Sequence, residues 1–418
     1  MLGSLVGNTI KDDRTYLKDK LAQITKKLHP ARLSELATYL LKDEAISGKL
    51  IIGATVLALL AANTALSSLY NGFLHTNLTI GLGSWALSKD LQHWIDEGLM
   101  AIFFLVVGLE LKRELVKGEL RKIKTATLPF AAAIGGMIVP ALIYMALNRG
   151  SDSFSGWAIP MATDIAFAVG ILALLGKRVP SSIRLFLLTL AIVDDIGAVI
   201  VIAVFYSTGI NLYMLAIAAT IAALILILQK LKLLNMSVFV VAAIGIWLAI
   251  NASGVHPSIA GAIIGLLAPL TAWSLNKEPI AERLERFTIP VSTLLVVPLF
   301  AFANTGIVLS LSSFKDTSAL PIAGGIILGL VVGKILGILG ASWLVIKLKY
   351  AELPIGANWS HIVGVGFLAG IGFTVAIFVT DLAFTAEDYV TIAKISIFAA
   401  SVISALIGLI VLQRSKTT

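Results

Sequence analysis

Residues 185–205 read LFLLTLAIVDDIGAVIVIAVF, a run of 21 residues in which only Asp194, Asp195 and Thr189 are polar. A helix of that length crosses the hydrocarbon core of a bilayer. A carboxylate near the midplane costs about 3 kcal/mol on insertion scales, so two in succession demand partners. Protons and a small hard cation are the candidates. Consecutive helical residues point about 100° apart, so two adjacent carboxylates on an intact helix cannot share one ligand. One is expected to face a water-filled cavity, the other a neighbouring helix.

Outward from this segment the chain stays apolar. Of its 418 residues 58% are hydrophobic and 13% charged, against about 25% charged in soluble proteins. The expected fold class is an all-α polytopic membrane protein. Apolar segments of spanning length fall at about 48–70, 94–111, 126–147, 154–175, 185–206, 211–229, 236–250, 257–273, 288–311, 321–346, 358–382 and 390–412. Alternating from a cytoplasmic N-terminus, these twelve transmembrane helices leave 27 of the 32 Lys and Arg residues inside. Only Lys89, Arg149 and Lys315 lie outside. That asymmetry explains the net charge of +8 without nucleic acid, and places both termini in the cytoplasm. Cysteine is absent, which excludes disulfides and thiolate metal sites. The five histidines show no metal-ligand spacing, and no phosphate-loop or dinucleotide motif implies a cofactor. The first 20 residues lack the apolar core of a signal peptide.

Residues 1–47 form a polar N-terminal extension, 48–412 the twelve-helix membrane domain and 413–418 a cytoplasmic tail. In the extension Leu17, Leu21, Ile24 and Leu28 recur at helical spacing among lysines. This suits either a helix on the inner leaflet or a solvated tail. Between the first two spans LTIGLGSWAL (78–87) alternates weakly and predicts an outer β-hairpin over about 76–90.

Two spans carry breaks. In 154–175 Pro160 removes a backbone donor, and Thr163 and Asp164 follow directly, at the N-terminus of the second half-helix where the dipole favours an anion. In 358–382 Gly364, Gly366, Gly370 and Gly372 precede Phe373 and Thr374. Each broken span is the middle member of a three-helix group, about 126–206 and 321–412, as inverted-topology repeats require. Lys334 lies mid-span, too deep to snorkel, and is the natural partner of Asp164 or Asp194. Lys394 lies only a few residues into its span, where snorkelling to the surface is expected. Glu110 and Glu114 share one face at the end of the second span. They form either an acidic funnel at the cytoplasmic mouth or a solvated helix end paired with Lys112, Arg113 or Lys117. His256, in SGVHPSIAG, reads as a packing residue ahead of a pH-response role.

These residues together resemble the NhaA family of bacterial sodium–proton antiporters. The matching stretches are GLMAIFFLVVGLELKREL (98–115), ATDIAFAVGIL (162–172), LAIVDDIGAVIVIAVFY (190–206), SGVHPSIAGAIIGLLAPL (253–270), PLFAFANTG (298–306) and GFLAGIGFTVAIF (366–378). The resemblance runs from about Ser47 to about Gln413. It implies crossing broken helices, with Asp195 as the cation and proton carboxylate. Asp194 and Asp164 would flank it, Thr163 would stand at the crossing and Lys334 would be the counter-charge. Sodium would sit at Asp195, Asp164 and Thr163. The implied activity is electrogenic export of Na+, and of Li+, against entering protons in the bacterial inner membrane. A homodimer is implied as well. No histidine occurs in 231–237, so a regulatory sensor there gains no support. An intramembrane aspartyl protease would need its carboxyls on facing helices, which an adjacent pair does not supply. A sodium-coupled symporter would show substrate-driven sodium uptake without proton counterflow, and a channel would conduct without coupling.

Overall fold

The computed structural model describes residues 45–80, 87–121, 123–207, 209–271, 278–308 and 319–415. The extension up to residue 44, the tip of the hairpin, Lys315 and the last three residues lie outside these, and the readings made for them are not addressed by the structure. The described chain is almost wholly helical, as side chains with few polar groups require in a medium that cannot hydrogen-bond the backbone.

The first span is α1 (Ala45–Ala62) followed by α2 (Ser67–Leu74), with a bend of 115° between them. A single straight helix over 48–70 is therefore not what forms. Asn63 caps its own helix on the Leu59 carbonyl and reaches across to Ile307 O at 2.7 Å, and Thr64 O accepts from Ser67 N–H. These local polar bonds stop α1 and turn the chain. Strands β1 (Asn77–Ile80) and β2 (Leu87–Asp90) pair antiparallel, Thr79 opposite Ser88. A short helical turn and a π-helical turn, Trp94–Leu99, then lead into α3 (Met100–Val116).

Helix α4 (Ile123–Leu147) is continuous. The next span is a 3-10 helix, Asp152–Met161, then extended backbone at Ala162–Asp164, then α5 (Ile165–Leu174). Then come α6 (Ser181–Phe205), α7 (Leu212–Lys230), α8 (Met236–Asn251) and α9 (Pro257–Leu267). Asn211 and Asn235 cap α7 and α8 with their side chains, and Pro257 opens α9 at the position where its missing N–H is harmless. Helix α10 (Ile280–Val291) passes through a π-helical turn into α11 (Val297–Asn304), so this span begins and ends earlier than 288–311. Helix α12 (Ala319–Leu328) likewise passes through a π-helical turn, Gly329–Gly333, into α13 (Lys334–Lys347). The last span pair is α14 (Trp359–Ala369) with α15 (Phe373–Ala383), bent by 45°, and α16 (Glu387–Arg414).

Among the described residues seven helices are long and apolar enough to cross a membrane, nine if each bent pair is one span, and α8 and α9 are shorter apolar helices. Large apolar side chains stay exposed around the outside, among them Leu69, Val204, Leu212, Val241, Leu320 and Leu336. Such a surface suits lipid rather than water.

Small residues let the interior helices approach closely. A Cβ on Gly337 of α13 would lie 2.0 Å from the Gly135 carbonyl oxygen of α4, and one on Gly261 of α9 would lie 2.0 Å from Ala101 O of α3. Backbone meets backbone at both points, so a methyl group must push the helices apart. Gly337→Ala is expected to cost about 1–3 kcal/mol, read as a lower melting temperature in detergent. Gly340→Ala is the control, since nothing lies within 4 Å of that Cβ; equal effects at the two positions would contradict this packing.

Asp90 closes the hairpin. Its carboxylate accepts from His93 N–H at 2.8 Å and meets the His93 and His75 rings at 2.6 and 3.2 Å. Burial pushes this carboxyl up, but the His93 N–H and the two imidazoles outweigh it and hold it below its ordinary value. A lowered carboxyl stabilises the fold above its unfolded pKa, near 3.9, and that contribution fades as pH falls through the lower folded value. Asp90→Ala is expected to cost about 1 kcal/mol. At neutral pH this reads as about fivefold faster amide exchange over 87–93, a difference that shrinks as pH falls through the lowered folded pKa of Asp90. Equal exchange in both proteins at neutral pH would contradict it.

Candidate functional site

The two breaks cross. Where the backbone is extended after Met161, Asp164 N–H donates to Ile371 O at 2.6 Å and Thr163 Oγ1 donates to Ala369 O at 2.8 Å. The interrupted backbone of each span thus satisfies the other, which is how non-helical chain survives at membrane depth. Asp164 caps α5, accepting from Phe167 N–H at 3.1 Å. Its other oxygen accepts from Thr374 N–H at 3.1 Å and from the Thr374 hydroxyl at 2.5 Å. One carboxylate thereby ties the N-terminal turn of α5 to that of α15.

Lys334 enters from α13, directly after the π-helical turn. Such turns concentrate at functional positions because they re-aim a side chain. The lysine is fully buried. Its Nζ donates to Asp194 Oδ2 at 2.6 Å, Thr163 Oγ1 at 2.9 Å and Met161 O at 2.5 Å. Three acceptors converge on Nζ, as many as an ammonium has hydrogens. The expectation left Asp164 and Asp194 open as its partner. Asp194 is the one it meets.

Asp195 is buried one position further on. Its Oδ2 and the Oδ1 of Asp194 are sealed from solvent without a hydrogen-bond partner. The charges acting on Asp195 are those of Asp194, Asp164, Glu110 and Lys334. Helical rotation separates the adjacent pair: Asp194 faces the lysine, and Asp195 keeps an uncommitted oxygen. Among the described residues no three His, Cys, Asp or Glu side chains gather as a metal-ligand set. A cation here would draw on carboxylate, hydroxyl and carbonyl oxygen, the donors a hard ion prefers.

Of the paired glutamates, Glu110 lies within electrostatic reach of Arg113, Glu285 and Glu114, and of Asp195. Arg113 pairs with Glu285 at 3.3 Å and Lys117 with Glu282 at 3.4 Å, both on α10. His256 packs its ring edge-on to Phe378, 5.0 Å between centroids, and meets the Ser258 hydroxyl at 2.7 Å. It also caps α9, accepting from Ser258 N–H. That is a hydrogen-bonded packing role.

Lys394 does not snorkel. It is 8% exposed and its Nζ lies 2.8 Å from Asp381 Oδ1. A half-buried carboxylate on the neighbouring helix holds the ammonium better than a distant surface does. The sequence reading passed over Asp381, Asp96, Asn304, Thr374 and Glu285. Asp96 and Asp381 stand near the ends of apolar spans, where a single charge reads as a helix terminus, and Glu285 sits in the amphipathic run ERLERF. Only Thr374, in the glycine-broken segment, carried a signal.

The chain is similar to known proteins over most of its length. The sequence model of the family described as Na+/H+ antiporter 1 matches residues 38–412. The Na+/H+ antiporter NhaA 1 of Clostridium beijerinckii is 45% identical over 371 residues, covering 88% of this chain and 92% of that protein. NhaA 2 of the same organism is 43% identical over 399 residues, covering 95% and 96%. NhaA of Shewanella loihica is 46% identical over 371 residues, covering 88% and 94%. With nine-tenths of its length matched and the crossing at the centre of the match, the chain belongs to the Na+/H+ antiporter 1 family.

Proposed function

We propose that this protein is a transporter that exports sodium, and lithium, across the bacterial cytoplasmic membrane in exchange for entering protons, and that it is not an enzyme. The observation that carries the reading is the buried Asp195, which has no ion pair and a buried oxygen without a partner, beside an Asp194 that is already paired with Lys334 through its Oδ2. Taking a carboxylate out of water disfavours its ionised form. Either a proton or a cation restores neutrality, so the two compete for Asp195. Asp164 and Thr163, already oriented by the crossing, offer the remaining oxygen ligands together with backbone carbonyls. Asp194 and Lys334 are the counter-charge and titrate with Asp195 as one coupled group.

Exchange follows if the protein reorients when carrying protons or sodium but not when empty. Two protons for one sodium would move one net charge per cycle, worth about 2.3 kcal/mol per 100 mV. Such electrogenic exchange serves pH and sodium homeostasis. Glu110 and Glu114 form the funnel from the cytoplasm toward Asp195, and the hairpin lies outside. With α8, α9 and the run 91–116 counted as spans the nine become twelve, both termini cytoplasmic by the lysine and arginine distribution. The groups α4–α6 and α12–α16, each with a broken middle member, are the inverted repeats about 126–206 and 321–412. The exposed hairpin is the contact for a second copy in a homodimer.

The test uses everted vesicles with an acid interior. Adding sodium or lithium is expected to collapse the pH gradient, faster with a membrane potential than without. A gradient untouched by both ions, or one collapsed only together with an organic solute, would overturn the reading.

A further inference from the structure

A second charged cluster lies on the far side of Phe378 from the crossing. On α15 the order is Thr374, which binds Asp164, then Phe378, then Asp381. Phe378 is buried among Phe104 of α3, Phe300 of α11 and His256, with centroids 5.7, 6.2 and 5.0 Å away. This aromatic plug separates the crossing from the hairpin end of the molecule. Beyond it, Lys394 of α16 pairs with Asp381. Asp96, in the π-helical turn before α3, accepts from the Asn304 amide at 2.6 Å, and Gln92 in turn donates to that amide's oxygen at 3.2 Å. Asp96 feels the charges of both Lys394 and Asp381, and of His93. Among the described residues Lys394 forms its ion pair with Asp381 alone, although Asp381 Oδ2 is a buried atom without a partner. Lys89 and Glu97, also at this end, pair with each other.

One cation thus acts on two carboxylates on different helices and is paired with only one of them, Asp381. We propose that Lys394 is the moving cation of a switch at this end. It pairs with Asp381 while the plug is closed, and passes to Asp96 when α15 and α16 part and the path to the hairpin side opens. The arrangement has two resting positions because both carboxylates are half-buried and each is stabilised by a cation placed against it, so Lys394 rests on one or the other. Holding Asp381 fixes the last turn of α15 against α16, and α15 carries both Phe378 and the hydroxyl that grips Asp164. Lys394, Asp381 and Asp96 act as positioning residues for the exchange cycle. This inference rests on the antiport reading and its alternating access.

The test measures the apparent KM for sodium from both membrane faces, in everted and right-side-out vesicles. An apparent dissociation constant is the intrinsic one divided by the fraction of protein open to that face. Asp381→Asn releases the closed state, so KM at the cytoplasmic face is expected to rise about three- to tenfold and to fall at the other face. Asp96→Asn is expected to shift both in the opposite directions. In a Lys394→Met background neither aspartate change should shift KM further, because the two act through the lysine. Asp381→Ser and Asp96→Ser carry the same charge changes and replace any Asn variant that fails to accumulate. Shifts of the same sign for Asp381 and Asp96, or shifts that persist without Lys394, would overturn the switch. Wild-type vesicles that exchange no sodium for protons would instead overturn the antiport reading itself.

Discussion

Asp195→Asn is expected to abolish sodium–proton exchange while leaving the fold intact. The change is nearly isosteric, and Asp195 gives up no ion pair, since the Lys334 ammonium is bound to Asp194, Thr163 and Met161 O. What disappears is the one uncommitted carboxylate at the crossing. Removing a charged group from a desolvated site typically costs about 3–5 kcal/mol of interaction, two or more orders of magnitude in affinity. Sodium-dependent proton movement in everted vesicles should therefore fall to about one hundredth of wild type or less, with an unchanged melting temperature. Wild-type rates in the variant would remove Asp195 from the centre of the mechanism.

Lys334→Met is expected to act on stability as well as transport. The side chain is fully buried and makes three hydrogen bonds, one of them to a carboxylate that is itself 1% exposed. Deleting one partner of such a pair leaves the other charge uncompensated, at a cost of about 3–5 kcal/mol. It also leaves Met161 O and Thr163 without their donor. The expected result is a large drop in melting temperature in detergent. Neutralising Asp194 as well, in Lys334→Met with Asp194→Asn, should recover part of it, because an unpaired neutral group is less costly than an unpaired charge. An unchanged melting temperature in the single variant, or a further drop in the double one, would mean the pair is not the counter-charge described.

Much of this arrangement could be read from the residues because apolar surroundings make each charge conspicuous. Asp194, Asp195, Asp164 and Lys334 stand alone in spans that otherwise tolerate only carbon. Helical geometry then required the adjacent aspartates to diverge. Pro160 and the glycines of 364–372 marked the two breaks, and the structure places them across each other. Less was legible where charges stand near span ends. Asp381 turned Lys394 from a surface-seeking lysine into a buried partner, and nothing in VTDLAF distinguishes that carboxylate from an ordinary helix terminus. The bend after Ala62 was hidden for a similar reason. Beside the local bonds at the turn, Asn63 reaches Ile307, 244 residues away, a contact that no local pattern encodes.

The competition of sodium and protons for Asp195 can be read without transport. Purified protein in detergent, in weakly buffered solution near pH 8, would receive sodium chloride while released protons are recorded, with choline chloride as control. Wild-type protein is expected to release protons in a saturable, sodium-specific manner, and Asp195→Asn to release none. Sodium binding without proton release, or undiminished release from Asp195→Asn, would contradict a shared carboxylate at the crossing of the two broken helices.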